Sequence, residues 1–357
     1  METVLEEGQN KPKRQKIQEI ADEGEEDRIS ALPDCLLLEI LDRLPYTNQA
    51  IKTGSLSKRW KHVWTSVPSL IFHQYMHRLS DFFSDIDKTL TQCRQSKVKR
   101  FIIYTIHDNR YESQVNSWIS YAIRCEVEEL TILLSTVIAS ELVLDQNFFI
   151  NSCFTSLKLA GCVLNPTGAI TWKNLRSLCI SDGEFNEDLI ENILSGSPQL
   201  ETLILDSYYG CRRLNITSNS VKNLEFTGDM VPGDESDEED TIEINAPNIL
   251  SLTIQCELLV SKLLLVNVSS LVKAELDYYN SDDTTTRLEA EYAEMLKGFI
   301  LNLGHVKELK IGSRCSEALI YLENNGFTFP SNLKFPDDWS DRNSSSGDSF
   351  DSDSVSD

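Results

Sequence analysis

Residues 154–162 read FTSLKLAGC. Phe154, Leu157 and Leu159 occupy the first, fourth and sixth places, and the last two are spaced to share one face of a short β-strand. The same spacing returns as Val98/Phe101/Ile103, Val127/Leu130/Ile132, Leu175/Leu178/Ile180 and Leu200/Leu203/Leu205. It continues through Val221/Leu224/Phe226, Ile249/Leu252/Ile254, Leu271/Ala274/Leu276 and Val306/Leu309/Ile311. Successive starts lie 21 to 29 residues apart, except the last, at 35. Strands too short to bury a face alone, repeated at this period, read as a stacked array in which each unit covers its neighbour.

Template and period fit an irregular leucine-rich-repeat solenoid, an α/β architecture with a parallel concave sheet. The return segments must cover the core. NEDLIENILSG (186–196) sets Leu189, Ile190, Ile193 and Leu194 on one helical face, and RLEAEYAEMLKGFILNL (287–303) does the same with Leu288, Tyr292, Met295, Phe299 and Leu303. The second helix accounts for the long last interval. Cys162 falls where such repeats commonly carry Asn or Cys to satisfy buried backbone groups.

Between the apolar strand positions, Lys158, Cys179, Ile204, Glu225, Thr253, Glu275 and Lys310 are expected on the concave face, beside a second row of Ser156, Ser177, Thr202, Asn223, Ser251, Lys273 and Glu308. Lys158, Ile204, Glu225, Thr253, Glu275 and Lys310 are the candidates for touching a target. The rows form neither a basic stripe nor an aromatic ladder, which suits a protein partner better than nucleic acid.

The formal charge of −23 argues the same way, since affinity for phosphate backbones rests on Lys and Arg. Residues 229–243 carry eight acids and no base and read as a solvated acidic loop; residues 336–357 carry seven acids and one Arg and read as a disordered tail. Residues 1–26 read as disordered too. No signal-peptide core or membrane-length apolar run is present, so a nuclear or cytoplasmic, membrane-free protein is expected. The nine cysteines lack a CxxC pair and read as reduced thiols. The sequons at Asn215, Asn267 and Asn343 are then coincidental.

No phosphate-binding loop, GxSxG or GxGxxG motif occurs, so neither enzyme chemistry nor a cofactor is expected. His73 and His77 are four apart but lack a third ligand nearby, so no metal site is assigned. Cys35 and Cys179 lie within regular elements and have no assignable base. KPKRQK (11–16) fits a nuclear-import signal, and Ser236 in DESDEED suits an acidophilic kinase.

The remaining feature is the N-terminal segment from Asp27 to Phe72. Leu36, Leu37, Ile40, Leu41 and Leu44 step at helical spacing between Pro33 and Pro45; Ala50, Ile51 and Leu56 lead to Trp60 and Trp64. Such a block either caps the array or docks another protein. Its opening DRISALP and closing LSKRWKHVWTSVP resemble the F-box of the large plant F-box/leucine-rich-repeat group. Leu79, Phe83, Ile86 and Leu90 step at helical spacing as a connector helix (74–96) before the repeat domain (97–335), and the resemblance implies a three-helix F-box (27–73). It further implies binding to a Skp-type adaptor and, through it, a cullin-RING ubiquitin ligase, with an unknown protein substrate. Leu32, Pro33, Leu36, Ile40, Leu44, Ile51 and Leu56 would meet the adaptor, while Trp60 and Trp64 would hold the module together or reach the interface. Gly54-Ser55 departs from the usual Ser-Val pair. A helix-interior Gly costs about 1 kcal/mol relative to Ala, so weaker adaptor binding is an expectation, and a non-degradative interaction scaffold is the alternative function.

Overall fold

A computed structural model describes residues 29–339, apart from residues 30, 76–77, 94–96, 136–140, 211, 233–240, 259–261, 280–285 and 338. Eleven parallel strands form one sheet in chain order: β1 Ser69–His73, β2 Arg100–Ile106, β3 Glu129–Ser135, β4 Ser156–Ala160, β5 Ser177–Ser181, β6 Thr202–Gly210, β7 Asn223–Pro232, β8 Ser251–Leu258, β9 Lys273–Leu276, β10 Glu308–Ile311 and β11 Leu333–Lys334. Sequential parallel pairing, with a return segment between successive strands, is the leucine-rich-repeat arrangement. All nine sequence triplets fall at the start of a strand, and every member is buried. Gly161 makes the turn after β4 possible. Its φ is +67°, and a Cβ there would stand 2.4 Å from the Leu134 carbonyl oxygen.

Helices α1 Asp34–Asp42, α2 Thr47–Lys52 and α3 Trp60–Val63 precede the sheet. Behind it lie α4 Leu79–Gln92, α5 Glu112–Arg124, the single turn α6 Gln146–Phe149, α7 Glu187–Gly196, α8 Thr286–Asn302 and α9 Ser316–Asn324. The Asn186 side chain caps α7 by accepting the Leu189 amide hydrogen at 2.7 Å, while Ile190 and Ile193 are buried. α8 fills the long last interval and buries Leu296, Phe299 and Ile300, with Leu303 buried just past its end.

Two boundaries move from the sequence reading. The segment closing the N-terminal module is already the first strand of the sheet: Val67, Leu70 and Phe72 repeat the triplet spacing, all three are buried, and Leu70 and Phe72 lie opposite Phe101 and Ile103. α4 is therefore the return helix of the first unit, with Phe82, Phe83 and Ile86 buried against that unit. The acidic stretch is also shorter than 229–243. Alternation lets Met230 and Ile242 turn inward while their acidic neighbours point out, so 229–232 finish β7 and 241–243 open the strand Thr241–Asn245.

Thr241–Asn245 pairs with Arg213–Asn215 and Lys262–Val266 in a second, three-stranded parallel sheet. Asn245 donates to the Asn215 side-chain oxygen at 3.1 Å, and Asn267 to that of Asn245 at 3.0 Å. Two of the three sequon asparagines thus belong to a hydrogen-bonded ladder. Residues 1–26 with KPKRQK, His77, Ser236, Asn343 and the far acidic tail lie outside the described residues. No described helix is long and apolar enough to cross a membrane.

Candidate docking surfaces

Helix α1 carries two unlike faces. Leu37 and Leu41 are buried, whereas Leu36 and Ile40, one turn apart on the other side, are 43% and 42% exposed. Exposed Pro33 precedes them, and Ile29 and Leu56 are exposed at 58% and 66%. Leu32, Leu44 and Ile51 are half-buried and pack against the common core. Trp60 and Trp64 are 3% and 5% exposed, so their rings belong to the packing rather than to the surface.

Arg59, which the apolar periodicity did not single out, fastens this surface. Its guanidinium donates to the Leu32 carbonyl at 2.6 Å and to the Asp34 carboxylate at 3.0 Å, tying the Leu32-Pro33 turn to the start of α3. The signal was its place in LSKRW opposite LPD, a charge pairing that periodicity cannot register. Gly54 lies outside any α-helix interior: α2 ends at Lys52, and Gly54 sits in a 3₁₀ turn over Thr53–Ser55. An added Cβ would meet the Lys61 Cα at 3.3 Å, so the glycine lets this turn approach α3 closely. The helix-interior penalty expected from the sequence does not apply to that geometry.

The second surface is the open face of the large sheet. Lys158, Cys179, Ile204, Glu225, Thr253, Glu275 and Lys310 are cross-strand neighbours in one row. The pairing extends it to Thr131, Ile102 and Ile71 at one end and to Lys334 at the other. Thr131 and Ile102 occupied the same slot of the sequence template; Ile71 was hidden by the misplaced boundary. Near the carboxyl end of the array the row is internally paired. Lys310 donates to Glu275 at 3.0 Å, and Lys334 donates to Glu308 of the neighbouring row at 2.8 Å. Lys334 first, then Lys273 and Lys310, hold the Glu308 carboxyl below its ordinary range, and Glu275 raises the Lys310 ammonium.

Farther toward the strand ends, Asp206 accepts hydrogen bonds from the Ser181 and Thr227 hydroxyls at 3.0 and 2.9 Å. Burial, and then the Asp206 and Asp229 charges, push the neighbouring Asp182 carboxyl up against a lowering hydrogen bond from Ser207. Elsewhere, burial raises the thiols of Cys162, Cys256 and Cys315 to about 12, which keeps them protonated and poorly nucleophilic. Cys162 donates to the Ala160 carbonyl at 3.6 Å. Among the described residues, no group of three or more His, Cys, Asp or Glu is placed to hold a metal ion.

An N-terminal helical module with an open apolar helix face, fused to a parallel repeat sheet, defines an F-box/leucine-rich-repeat protein. A family model for the F-box domain matches residues 29–72, and one described as "At1g61320/AtMIF1, LRR domain" matches residues 90–313. The chain is similar to the Arabidopsis thaliana "F-box protein At5g03100", with 32% identity over 320 residues covering 86% of this chain and 95% of that protein. It is also similar to "Putative F-box/LRR-repeat protein At3g18150" from the same plant, at 34% identity, with 89% of this chain and 65% of the relative covered. "F-box/LRR-repeat protein At5g02910", likewise from Arabidopsis thaliana, is 33% identical over 85% of this chain and 64% of its own length. The chain therefore spans slightly less than two thirds of the two named F-box/LRR-repeat relatives and nearly all of the first. It belongs to the F-box/leucine-rich-repeat family.

Proposed function

We propose that this chain is the non-catalytic substrate-recruiting subunit of a Skp-cullin-F-box type ubiquitin ligase. The F-box binds a Skp-type adaptor and the open face of the repeats binds a protein target. The carrying observation is the solvent-facing Leu36–Ile40 pair on a helix whose other side is fully packed. A helix face of this kind docks into a complementary groove through a few central anchors. Pro33 and Leu56 are further exposed apolar residues of the same module, and Leu32, Leu44 and Ile51, half-buried against the core, contribute their uncovered edges. Trp60 and Trp64 keep the three helices together.

The chain's own chemistry in this role is positioning: one surface is tied to the ligase and the other presents the target, with no covalent step on either. The rigid connection matters because Trp64, Phe72 and Phe82 belong to one continuous core, so the two surfaces hold a fixed relation. The test is binding of the purified full chain to a purified Skp-type adaptor, followed by assembly with the cullin-RING components. Saturable adaptor binding and recovery of the complex are expected. A folded chain that fails to bind the adaptor removes the ligase role and leaves the interaction scaffold.

A further inference from the structure

The open face changes character along its length. At the amino-terminal end, Ile71, Ile102 and Leu133 lie on it, with His73 and Tyr104 between them. The His73 ring stands 5.5 Å from Tyr46, 5.4 Å from Tyr75 and 5.5 Å from Tyr104, a tight aromatic group at the junction with the F-box. Tyr75 is 66% exposed and Ile106 is 41% exposed. An exposed aromatic and aliphatic surface on a scaffold of parallel strands is a ready anchor site for a partner side chain.

The same register row runs from His73, Tyr104 and Leu133 through Ala160 and Ser181 to Asp206. There the face becomes anionic. Asp182 follows Ser181 directly, while Asp229 and Glu257 stand opposite each other on β7 and β8. Among the described residues, none of Asp182, Asp206, Asp229 and Glu257 forms an ion pair. Glu257 accepts a hydrogen bond from the Tyr279 hydroxyl at 3.1 Å, which leaves its charge and that of Asp229 unneutralised, and a cation laid between like charges on neighbouring strands is attracted to both. The charged residues nearer the carboxyl end, by contrast, are already matched as Lys310 with Glu275 and Lys334 with Glu308.

We infer that the open face takes an extended target segment with an aromatic or large aliphatic anchor at β1–β3 and Lys or Arg residues over β5–β8. This rests on the target-recruiting reading and names the chemistry of the target. The geometry also sets the spacing. Four strand steps separate Tyr104 from Asp206, about 19 Å at the usual ~4.8 Å between strands, which an extended peptide spans in about six residues.

The probe is a pair of fluorescent 14-residue peptides carrying Phe-Leu and Lys-Arg-Lys about six residues apart in Gly/Ser, one in each order. Their binding to the full chain is read by anisotropy. One order is expected to bind, and replacing its basic residues by Glu weakens it by at least about tenfold at low salt, with the gap narrowing as salt screens the charges. Asp229→Lys narrows the gap between the Lys/Arg and Glu peptides, and Tyr75→Ala weakens both peptides alike; both substitutions are at exposed positions. Equal binding of the Lys/Arg and Glu peptides overturns the inference. So does failure of both orders to bind, or binding that neither substitution changes. Adaptor binding is measured on the same samples. A chain that retains the adaptor but rejects these peptides loses this inference alone, whereas one that loses the adaptor as well loses the ligase reading.

Discussion

The Ile71 backbone amide donates a 2.7 Å hydrogen bond to the Thr47 hydroxyl oxygen, joining helix α2 of the F-box to the edge strand of the repeat sheet. An edge strand exposes backbone groups that need partners, and here the preceding module supplies one. Arg100 adds a second tie, donating to Ser69 at 2.8 Å and to the Asp42 carboxylate at 3.2 Å. Thr47 is buried, so Thr47→Val keeps its shape but leaves the Ile71 amide unmatched. A loss of about 1–2 kcal/mol in unfolding free energy is expected, with Thr47→Ser retaining most of the stability. Denaturant unfolding of the three proteins checks this; an unchanged Thr47→Val midpoint would show that the tie does not stabilise the junction.

The two faces of α1 predict opposite phenotypes. Leu36→Asp or Ile40→Asp places a charge on an already exposed position, so folding should change little. Loss of a central anchor on docking costs about 2 kcal/mol or more, roughly thirtyfold in affinity. Leu37→Ala should instead cost about 2–5 kcal/mol of stability, because Leu37 is wholly buried. Adaptor titration together with thermal unfolding separates the cases. Normal adaptor affinity in a folded Leu36→Asp/Ile40→Asp protein would remove this face from the interface.

How much of this was legible in sequence follows from period. The triplets around Leu157 or Leu252 announce their strands because inward residues must be apolar in every unit. The row through Lys158 and Lys310 could be written down from the same template, since alternation fixes the face. Val67/Leu70/Phe72 obey the template too, but their proximity to the tryptophans assigned them to the wrong side of the boundary. Arg59 was invisible to pattern because its partners, Leu32 and Asp34, are distant in sequence. The anionic end of the open face was hidden differently: Asp206 and Asp229 lie beyond the triplet positions, and only strand pairing shows which acids are neighbours.

Thiol labelling should divide the cysteines by burial. Cys35 is exposed on α1, whereas Cys162, Cys256 and Cys315 are buried with their thiols raised to about 12. Alkylation of the native protein near pH 8 is expected to modify Cys35 within minutes, while the other three react only after denaturation. Peptide mapping reads the sites. Rapid native labelling of Cys315 would mean that the last unit opens far more readily than its packing implies.

Arg59→Ala is expected to affect docking more than folding. The Arg59–Asp34 pair is largely exposed, so its direct contribution to stability is about 0–1 kcal/mol. Its other role is to hold the Leu32 carbonyl, and with it the turn that presents Pro33. Arg59→Lys preserves charge but cannot span both acceptors with a planar fork, so it should resemble Arg59→Ala in adaptor binding. Full rescue by lysine would reduce the role of Arg59 to charge alone.

Asp182 supplies a pH test of the anionic end. Its carboxyl is raised first by burial and then by Asp206 and Asp229, so the folded state holds this proton more tightly than the unfolded chain does. The stabilising share of that shift is present below the ordinary carboxylate range and is lost as pH rises through the folded-state value. Asp182→Asn removes the charge, and asparagine tolerates the left-handed backbone at this position, where φ is +56°. The variant should therefore melt at a higher temperature than the parent at pH 7 and at nearly the same temperature near pH 3, where both side chains are neutral. Thermal unfolding across that range measures the difference. A gap that is absent at pH 7, or that widens toward acid, would show that Asp182 feels no repulsion from its neighbours.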